Sequence, residues 1–339
     1  MVVGGGPAGA ICAFLLARAG ARVALIRRCR NRFSAVELLS ARARRILETY
    51  LDQRLDGCEI SETLSSWDTQ QPVSWSAMCN PWGYGLAVDR ATFDEVLVRA
   101  AQGAGVWVLP AGEARSAERR RDAWTLTVGS SPWKAGHLVL ATGAGRQSLI
   151  DRATVAKPAQ FAFMAHVDVD LPEQRHTFHL EAGKDGWWYG MPSPRGGRFV
   201  GFCTRTGAIK SSRGTFLRRI ANLRLLEANP APGVRALRVS GRPAGPGSYE
   251  QVVGKRWIAV GDAAFVSDPL SGMGIEFAIE SARLAAEALC AKSRGPALAR
   301  YGEAVQGYAR QHERVSAIHH QRGIGGGTKL VCVSTSAPR

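Results

Sequence analysis

No apolar run in this 339-residue chain reaches the roughly 18 residues that a membrane-spanning helix requires, because Arg18 interrupts the best one after Ala17. Spaced cysteine pairs are missing too. Cys12, Cys29, Cys58, Cys79, Cys203, Cys290 and Cys332 are odd in number and include no CxxC. That argues against a disulfide framework or a metal site and makes a reducing cytoplasm the expected compartment. No signal peptide is expected ahead of a glycine motif that begins at Gly4. Lysine is scarce: seven of the 44 basic residues, so the net charge of +16 rests on arginine. Such a charge can signal an acidic partner, or only an Arg-rich codon habit. No RNP, zinc-finger or helix-turn-helix signature accompanies it, so no nucleic-acid partner is expected. What is present, 45% hydrophobic and 21% charged residues, describes a folded protein with a real core and excludes disorder.

Met1–Arg28 reads as a short apolar strand, Gly4-x-Gly6-x-x-Gly9, an apolar helix to Ala19, Gly20 as its cap, and a second strand Arg22–Ile26. In such a βαβ unit the first glycine permits the tight turn. The second lets a pyrophosphate approach the backbone, and the third lets helix pack on strand. Both flanking elements accompany the glycines, so the unit predicts dinucleotide binding. Only three residues precede Gly4, which predicts an unusually short first strand or a start further upstream. Some 18 residues beyond Gly9, where an acid ordinarily meets the ribose hydroxyls, stands Arg27. Arg27 suits a 2′-phosphate, or else faces solvent within the basic run to Arg32. From this end alone NADP and FAD are not separated.

The other end is more specific. Trp257–Val260 is an apolar strand that ends in Gly261-Asp262, and the turn Ser271-Gly272-Met273-Gly274 opens a long amphipathic helix. Asp262 at a strand end can accept hydrogen bonds from a polyol, and a helix N-terminus offers free N–H groups to an anionic ring edge. The stretch resembles the second FAD motif of the flavin-dependent monooxygenase and halogenase superfamily, the para-hydroxybenzoate-hydroxylase-like fold. Asp262, Asp268, Pro269, Gly272 and Gly274 match that motif. Val88–Asp94 resembles the family's V-x-R-x-x-F-D signature, which implies that Arg90 reaches the cofactor. Leu138–Gly143, followed by Arg146 and Ser148, resembles the strand and ATG loop that close the FAD domain. Glu37, in Val36–Ser40, resembles the family's G-E-[ST] turn near the flavin, with Val36 in place of the glycine.

The resemblance implies an α/β fold: a discontinuous Rossmann-like FAD-binding domain, 1–155 and 245–295, with an inserted antiparallel-sheet substrate lobe, 156–244. A C-terminal helical segment and flexible tail, 296–339, would follow. The lobe's pattern is alternating. Phe161, Phe163, Ala165, Val167 and Val169 share one face, and Met164, His166 and Asp168 share the other. Arg294-Gly295-Pro296 is expected to end the flavin helix, with helix again to about Gln321.

Trp187–Pro192 resembles the W-x-W-x-I-P segment of the flavin-dependent tryptophan halogenases, but Tyr189 and Met191 replace Trp and Ile. Halogenation in that family also uses a Lys from the first third of the chain, and the first Lys here is Lys134. The segment looks closer to that of the superfamily's peptide-modifying hydroxylases. The resemblance therefore implies an FAD-dependent monooxygenase acting on an aromatic, tryptophan-like or peptidyl substrate. Trp187 and Tyr189 would be pocket walls, Pro269 would stand beside the site of oxygen reaction, and His166, His176 or His179 would be a base. Most of that power belongs to the cofactor. Electrons would come from NAD(P)H, directly or through a separate flavin reductase; Ala141-Thr142-Gly143 stands where direct users carry ADG. The competing readings are a reductase of the isoprenoid-reductase type and, less favoured, a tryptophan halogenase.

Overall fold

The structure is a computed structural model that describes residues 1–28, 34–67, 71–109, 114–120, 122–144, 149–155, 160–169, 171–183, 185–205, 216, 220 and 236–325. The fold is α/β, a parallel FAD-type sheet beside a large, mostly antiparallel one. Five helices serve as landmarks: α1 (Pro7–Arg18), α2 (Ala41–Leu51), α3 (Arg90–Gly103), α4 (Gly274–Cys290) and α5 (Arg294–Gly325).

A six-stranded sheet runs Val253–Gly254, Trp257–Ala259, Leu138–Leu140, Val2–Val3, Ala24–Ile26, Trp107–Leu109, parallel except at the first pair. Its inner strands are continuous apolar runs because both faces are covered, as a parallel sheet demands. Helix α1 packs between α3 and α4 on one side. The hairpin residues Trp124, Leu126 and Val128 join the same core. Because strands from the two ends of the FAD-type segment lie side by side, the glycine loop after Val3 and the turn after Ala259 share one sheet edge.

The second sheet has seven strands in the order Ala236–Pro243, Gln160–Val167, Arg198–Arg205, Gly186–Pro192, Thr177–Gly183, Glu62–Ser66, Val73–Ser76. All pairs are antiparallel except Thr177–Gly183 with Glu62–Ser66. The last two strands come from the N-terminal part of the chain, on the other side of the expected lobe boundary. Side-chain alternation follows the period of two. Phe163, Ala165, Val167, Trp188 and Phe202 pack on one face, and Met164, Trp187, Tyr189, Met191, Phe199 and Cys203 on the other.

One expected boundary moves. Helix α4 stops at Cys290, and Arg294-Gly295-Pro296 opens α5 rather than closing α4. The ring is tolerated there because a first-turn N–H has no intrahelical acceptor to lose. The predicted tail beyond Gly325 lies outside the described residues, as do Arg30, Arg32, Arg146 and Ser148. Among the described residues no helix is long and apolar enough to cross a membrane.

Candidate functional site

The glycine loop is shaped by close backbone approach. Gly4 has φ +117°, and a Cβ there would lie 2.0 Å from the Ala141 carbonyl oxygen. A Cβ on Gly9 would lie 1.9 Å from the Gly4 carbonyl oxygen. Both residues must be glycine for Val2–Val3, Leu138–Leu140 and α1 to meet. Gly6 precedes α1, whose first turn has neither a side-chain cap nor an acid. The N–H groups of that turn therefore keep their capacity for an anion. Gly143, at φ +75°, follows Ala141 beside the same loop, with nothing within 4 Å of a would-be Cβ.

A network of charged groups lies near the open end of α1. The Arg90 guanidinium lies 3.6 Å from where a Gly6 Cβ would be. It is held 3.0 Å from Glu37 and 2.8 Å from Asp94. Asp89 caps α3 by accepting from the Ala91 and Thr92 amides, which sets the direction in which Arg90 leaves the helix. Arg242, from the large sheet, approaches Glu37 at 3.6 Å. Burial pushes the Glu37 carboxyl up, but Arg90 and Arg242 together bring it below the usual range. Burial raises Asp262, with Arg90 acting against it. Arg90 is raised, its burial being outweighed by Glu37 and Asp94. Glu37 retains 23% side-chain exposure, Arg90 31% and Arg242 53%, so these charges line a recess that water still reaches. Gly261, at φ +58°, sits so tightly that a Cβ would meet Ala8 at 2.6 Å; this places neighbouring Asp262 at the start of α1.

Glu37 lies in a strand, Val36–Leu39, paired antiparallel with Gly85–Asp89, and not in a turn. Arg27 is not free in solvent. It pairs with Glu95 at 2.6 Å, and its side chain covers the Cβ direction of Gly5.

The second motif forms a loop ahead of α4. Asp268 caps the short turn Pro269–Ser271, Gly272 takes φ +61°, and Gly274 begins the helix. Pro269 is half-buried, and its neighbour Leu270 packs against a buried cluster of Trp67, Ala162, Trp187 and Cys203, which Tyr189 also joins. The Pro269 loop and the aromatic face thus meet. Glu276, in the first turn of α4, accepts from Ser40 at 2.6 Å and Arg42 at 2.7 Å, tying the start of α2 to the same helix.

Tyr189 stacks at 6.5 Å on Phe178 and lies 5.7 Å from Trp187. Its ring lies over Gly201, where a Cβ would come within 2.1 Å. Burial raises its phenol, with Cys203 and Glu37 adding to the rise and Arg242 opposing it. The Trp187 indole nitrogen is buried and has no hydrogen-bond partner among the described residues. His166 is held by its neighbours. Its Nε2 is 2.8 Å from the Ser34 carbonyl oxygen, its Nδ1 is 3.3 Å from the Ser193 hydroxyl, and its ring is edge-on to Phe199. Both ring nitrogens are engaged with protein groups, an arrangement for holding two segments together. His176 bonds the Glu59 carbonyl, and His179 is buried beside Arg198.

The structure therefore brings Gly4, Gly6, Gly9, Glu37, Arg90 and Asp262 to one recess, with Gly143 two residues beyond Ala141 of the same loop and the Pro269–Gly274 loop against the aromatic cluster that Tyr189 joins. Arg27 lies over the neighbouring Gly5, and both ring nitrogens of His166 are engaged by Ser34 and Ser193. Sequence reading missed Arg242, Trp67, Phe178 and Leu270. An arginine in an Arg-rich chain carries no signal of its own, and Trp67 reaches the site through sheet pairing across more than 100 residues.

Residues 1–50 match the FAD binding domain family. The chain is 26% identical to the putative FAD-dependent oxidoreductase LodB of Marinomonas mediterranea, over 95% of this chain and 92% of that protein. It is 29% identical to menaquinone reductase of Mycobacterium tuberculosis, over 85% and 76%. Among solved structures, the peptidyl tryptophan dihydroxylase QhpG aligns with a TM-score of 0.76 and 24% identity, covering 96% of this chain and 75% of that one.

Proposed function

We propose that this chain, a member of the FAD-dependent oxidoreductase superfamily and an FAD oxidoreductase, is a monooxygenase that hydroxylates an aromatic substrate, tryptophan-like or peptidyl. The observation that carries this reading is the junction of Leu270, next to Pro269, with the Trp67–Trp187–Tyr189 wall. An aromatic-lined face beside the second FAD motif suits a flat, electron-rich ring.

The residues present fit FAD. A pyrophosphate needs a backbone without Cβ atoms and an uncapped helix start, which Gly4, Gly6, Gly9 and α1 offer. Asp262 would accept from the ribityl hydroxyls. Arg90, already neutralised in part by Glu37 and Asp94, would hold the cofactor's polar middle. The Gly272–Gly274 turn and the first turn of α4 would face the ring edge. Bound there, FAD would supply the two-electron reduction of dioxygen by which one oxygen atom enters the substrate ring and the other leaves as water. The chain's own task is to orient the ring and exclude water. Tyr189, Trp187 and Trp67 would form the wall, and the unpaired Trp187 N–H would donate to an acceptor on the substrate. His166 is not assigned the role of base, since its two nitrogens are engaged by Ser34 and Ser193. The similarity to menaquinone reductase supports a second reading, reduction of a lipophilic quinone or alkene without oxygen transfer. The electron donor is proposed to be NAD(P)H, acting directly or through a separate reductase.

The test is to load the protein with FAD, reduce it with NADPH and a flavin reductase, and follow oxygen uptake with indole, tryptophan and tryptophyl peptides. Substrate-stimulated uptake with an added 16-Da mass is expected, and Tyr189→Ala should abolish the stimulation while the flavin spectrum remains. Quinone reduction without substrate-dependent oxygen uptake would favour the second reading. A chain that takes up no flavin would end both.

A further inference from the structure

The C-terminal half of α5 carries three residues at helical spacing, His312, Ser316 and His320, and all three reach Asp268. The Asp268 backbone N–H donates to His312 Nε2 at 2.9 Å. Ser316 donates its hydroxyl to Asp268 Oδ2 at 2.8 Å, and His320 Nε2 donates to the same oxygen at 2.7 Å. The other carboxylate oxygen accepts from the Leu270 amide at 3.0 Å. Steps of four keep the three side chains on one helix face, one above another. Asp268 is only 3% exposed, and His312 and His320 are buried. Burial by itself would raise this carboxyl; His320, the Leu270 amide and Ser316 bring it below the usual range. It is therefore an ionised acceptor sealed by its partners.

The same stretch of helix holds the opposite wall. The Trp67 indole N–H donates to the His319 carbonyl at 3.2 Å, and Trp67 is edge-on to Trp187 at 6.3 Å. Further up α5, the Tyr308 ring stacks on Phe277 of α4 at 4.7 Å, and the Tyr301 hydroxyl donates to the Ala259 carbonyl at 2.5 Å. The helix is thus fastened along its length, and its last turns sit on Asp268 and Trp67 at once.

We infer that His312, Ser316 and His320 are positioning residues: through Asp268 they set the Pro269–Gly274 loop against the aromatic wall that α5 also anchors. The consequence for catalysis rests on the monooxygenase reading; the clamp itself does not. The dependence is specific in direction. His312 must present a bare Nε2 to the amide, His320 must present N–H, and the two cannot exchange roles. The loop's internal bonds, Ser271 N–H to the Asp268 carbonyl and Gly272 N–H to the Pro269 carbonyl, hang from the residue so held.

Hydrogen exchange of the full chain, with and without FAD, decides the matter. His320→Ala and the Ser316→Ala/His320→Ala pair should speed exchange at Leu270, Ser271 and Gly272 by about tenfold or more, with α4 protected as before. FAD should bind about three- to tenfold more weakly, with a shifted flavin absorption band. His320→Gln, which keeps an N–H donor, should restore most of the protection. Tyr301→Phe serves as the comparison, because it loosens the far end of α5 without touching the loop. Unchanged exchange in the double variant, or a rise that merely follows the whole of α5 as in Tyr301→Phe, would overturn the clamp. If the wild-type chain binds no FAD, the proposed function falls while the exchange of the cofactor-free chain still decides the clamp.

Discussion

At the scale of the residue, glycine and arginine shape the candidate site. An alanine in an ordinary helix position is favoured over glycine by about 0.5–1 kcal/mol. At Gly9 the opposite sign is expected, because the new methyl would lie 1.9 Å from the Gly4 carbonyl, a backbone atom that cannot swing away. Gly9→Ala should lower the melting temperature and abolish flavin retention, read by thermal unfolding and by the yellow absorbance of the purified protein. Arg90→Gln acts differently. It leaves Glu37 and Asp94 recessed without their main cation. The Glu37 carboxyl should then titrate higher, FAD binding should weaken at least tenfold, and the fold should persist because Arg242 still faces Glu37. Isotope-edited infrared titration and flavin fluorescence measure the two effects. Gly4, Gly6, Gly9, Arg90 and Asp262 were legible as residues because their motifs demand particular backbone or charge chemistry at fixed spacing. Arg242 was not, since only strand pairing brings it within 3.6 Å of Glu37.

At the scale of the element, the strand Thr177–Gly183 places His179 in a buried position with Arg198 beside it. Burial, reinforced by Arg198, lowers its imidazole from the ordinary 6.5 to about 3. The unfolded chain therefore binds a proton there between these values and the native chain does not. Stability is full above pH 6.5 and falls as the pH drops through that window. Asp268, held below the usual carboxylate range, adds a loss of the same sign as it protonates. His179→Gln should flatten the slope of unfolding free energy between pH 6.5 and pH 4, measured by urea unfolding at each pH. The strand pattern from Phe161 to Val169 was readable from alternation alone, and the two faces do separate as that pattern demands. The pairing of Glu62–Ser66 with Thr177–Gly183 was not readable, because a short strand states its own periodicity and not its neighbour.

At the scale of the whole molecule, the recess draws on both sheets: Glu37, Arg90 and Asp262 beside the parallel sheet, Arg242 from the large one. A ligand seated there couples their unfolding. Saturating FAD, at about 100 times its dissociation constant, should add roughly 2.7 kcal/mol to stability. It should also make the fluorescence transitions of Trp124, in the parallel-sheet core, and Trp188, in the large sheet, coincide. Calorimetry with single-tryptophan variants checks this. The net charge of +16 belongs to this scale as well. Several arginines are consumed internally, Arg90 by Glu37 and Asp94, Arg283 by Glu280 and Glu287, Arg27 by Glu95. Retention on DNA is therefore expected to vanish by about 0.15 M salt, where a scattered surface charge is screened.

The amino-acid order by itself determined the βαβ glycine loop, the Asp262 and Pro269–Gly274 motifs and the alternating lobe. Each is a local demand of backbone freedom, helix-end polarity or pleat. Tertiary structure alone decided that Glu37 sits in a strand facing Arg242, that His166 is spent on Ser34 and Ser193, and that Asp268 is gripped by the last turns of α5. Those outcomes depend on which distant segments lie side by side. Contacts between residues far apart in the chain arise from burial of shared apolar faces, and neither partner's neighbourhood in the chain records them.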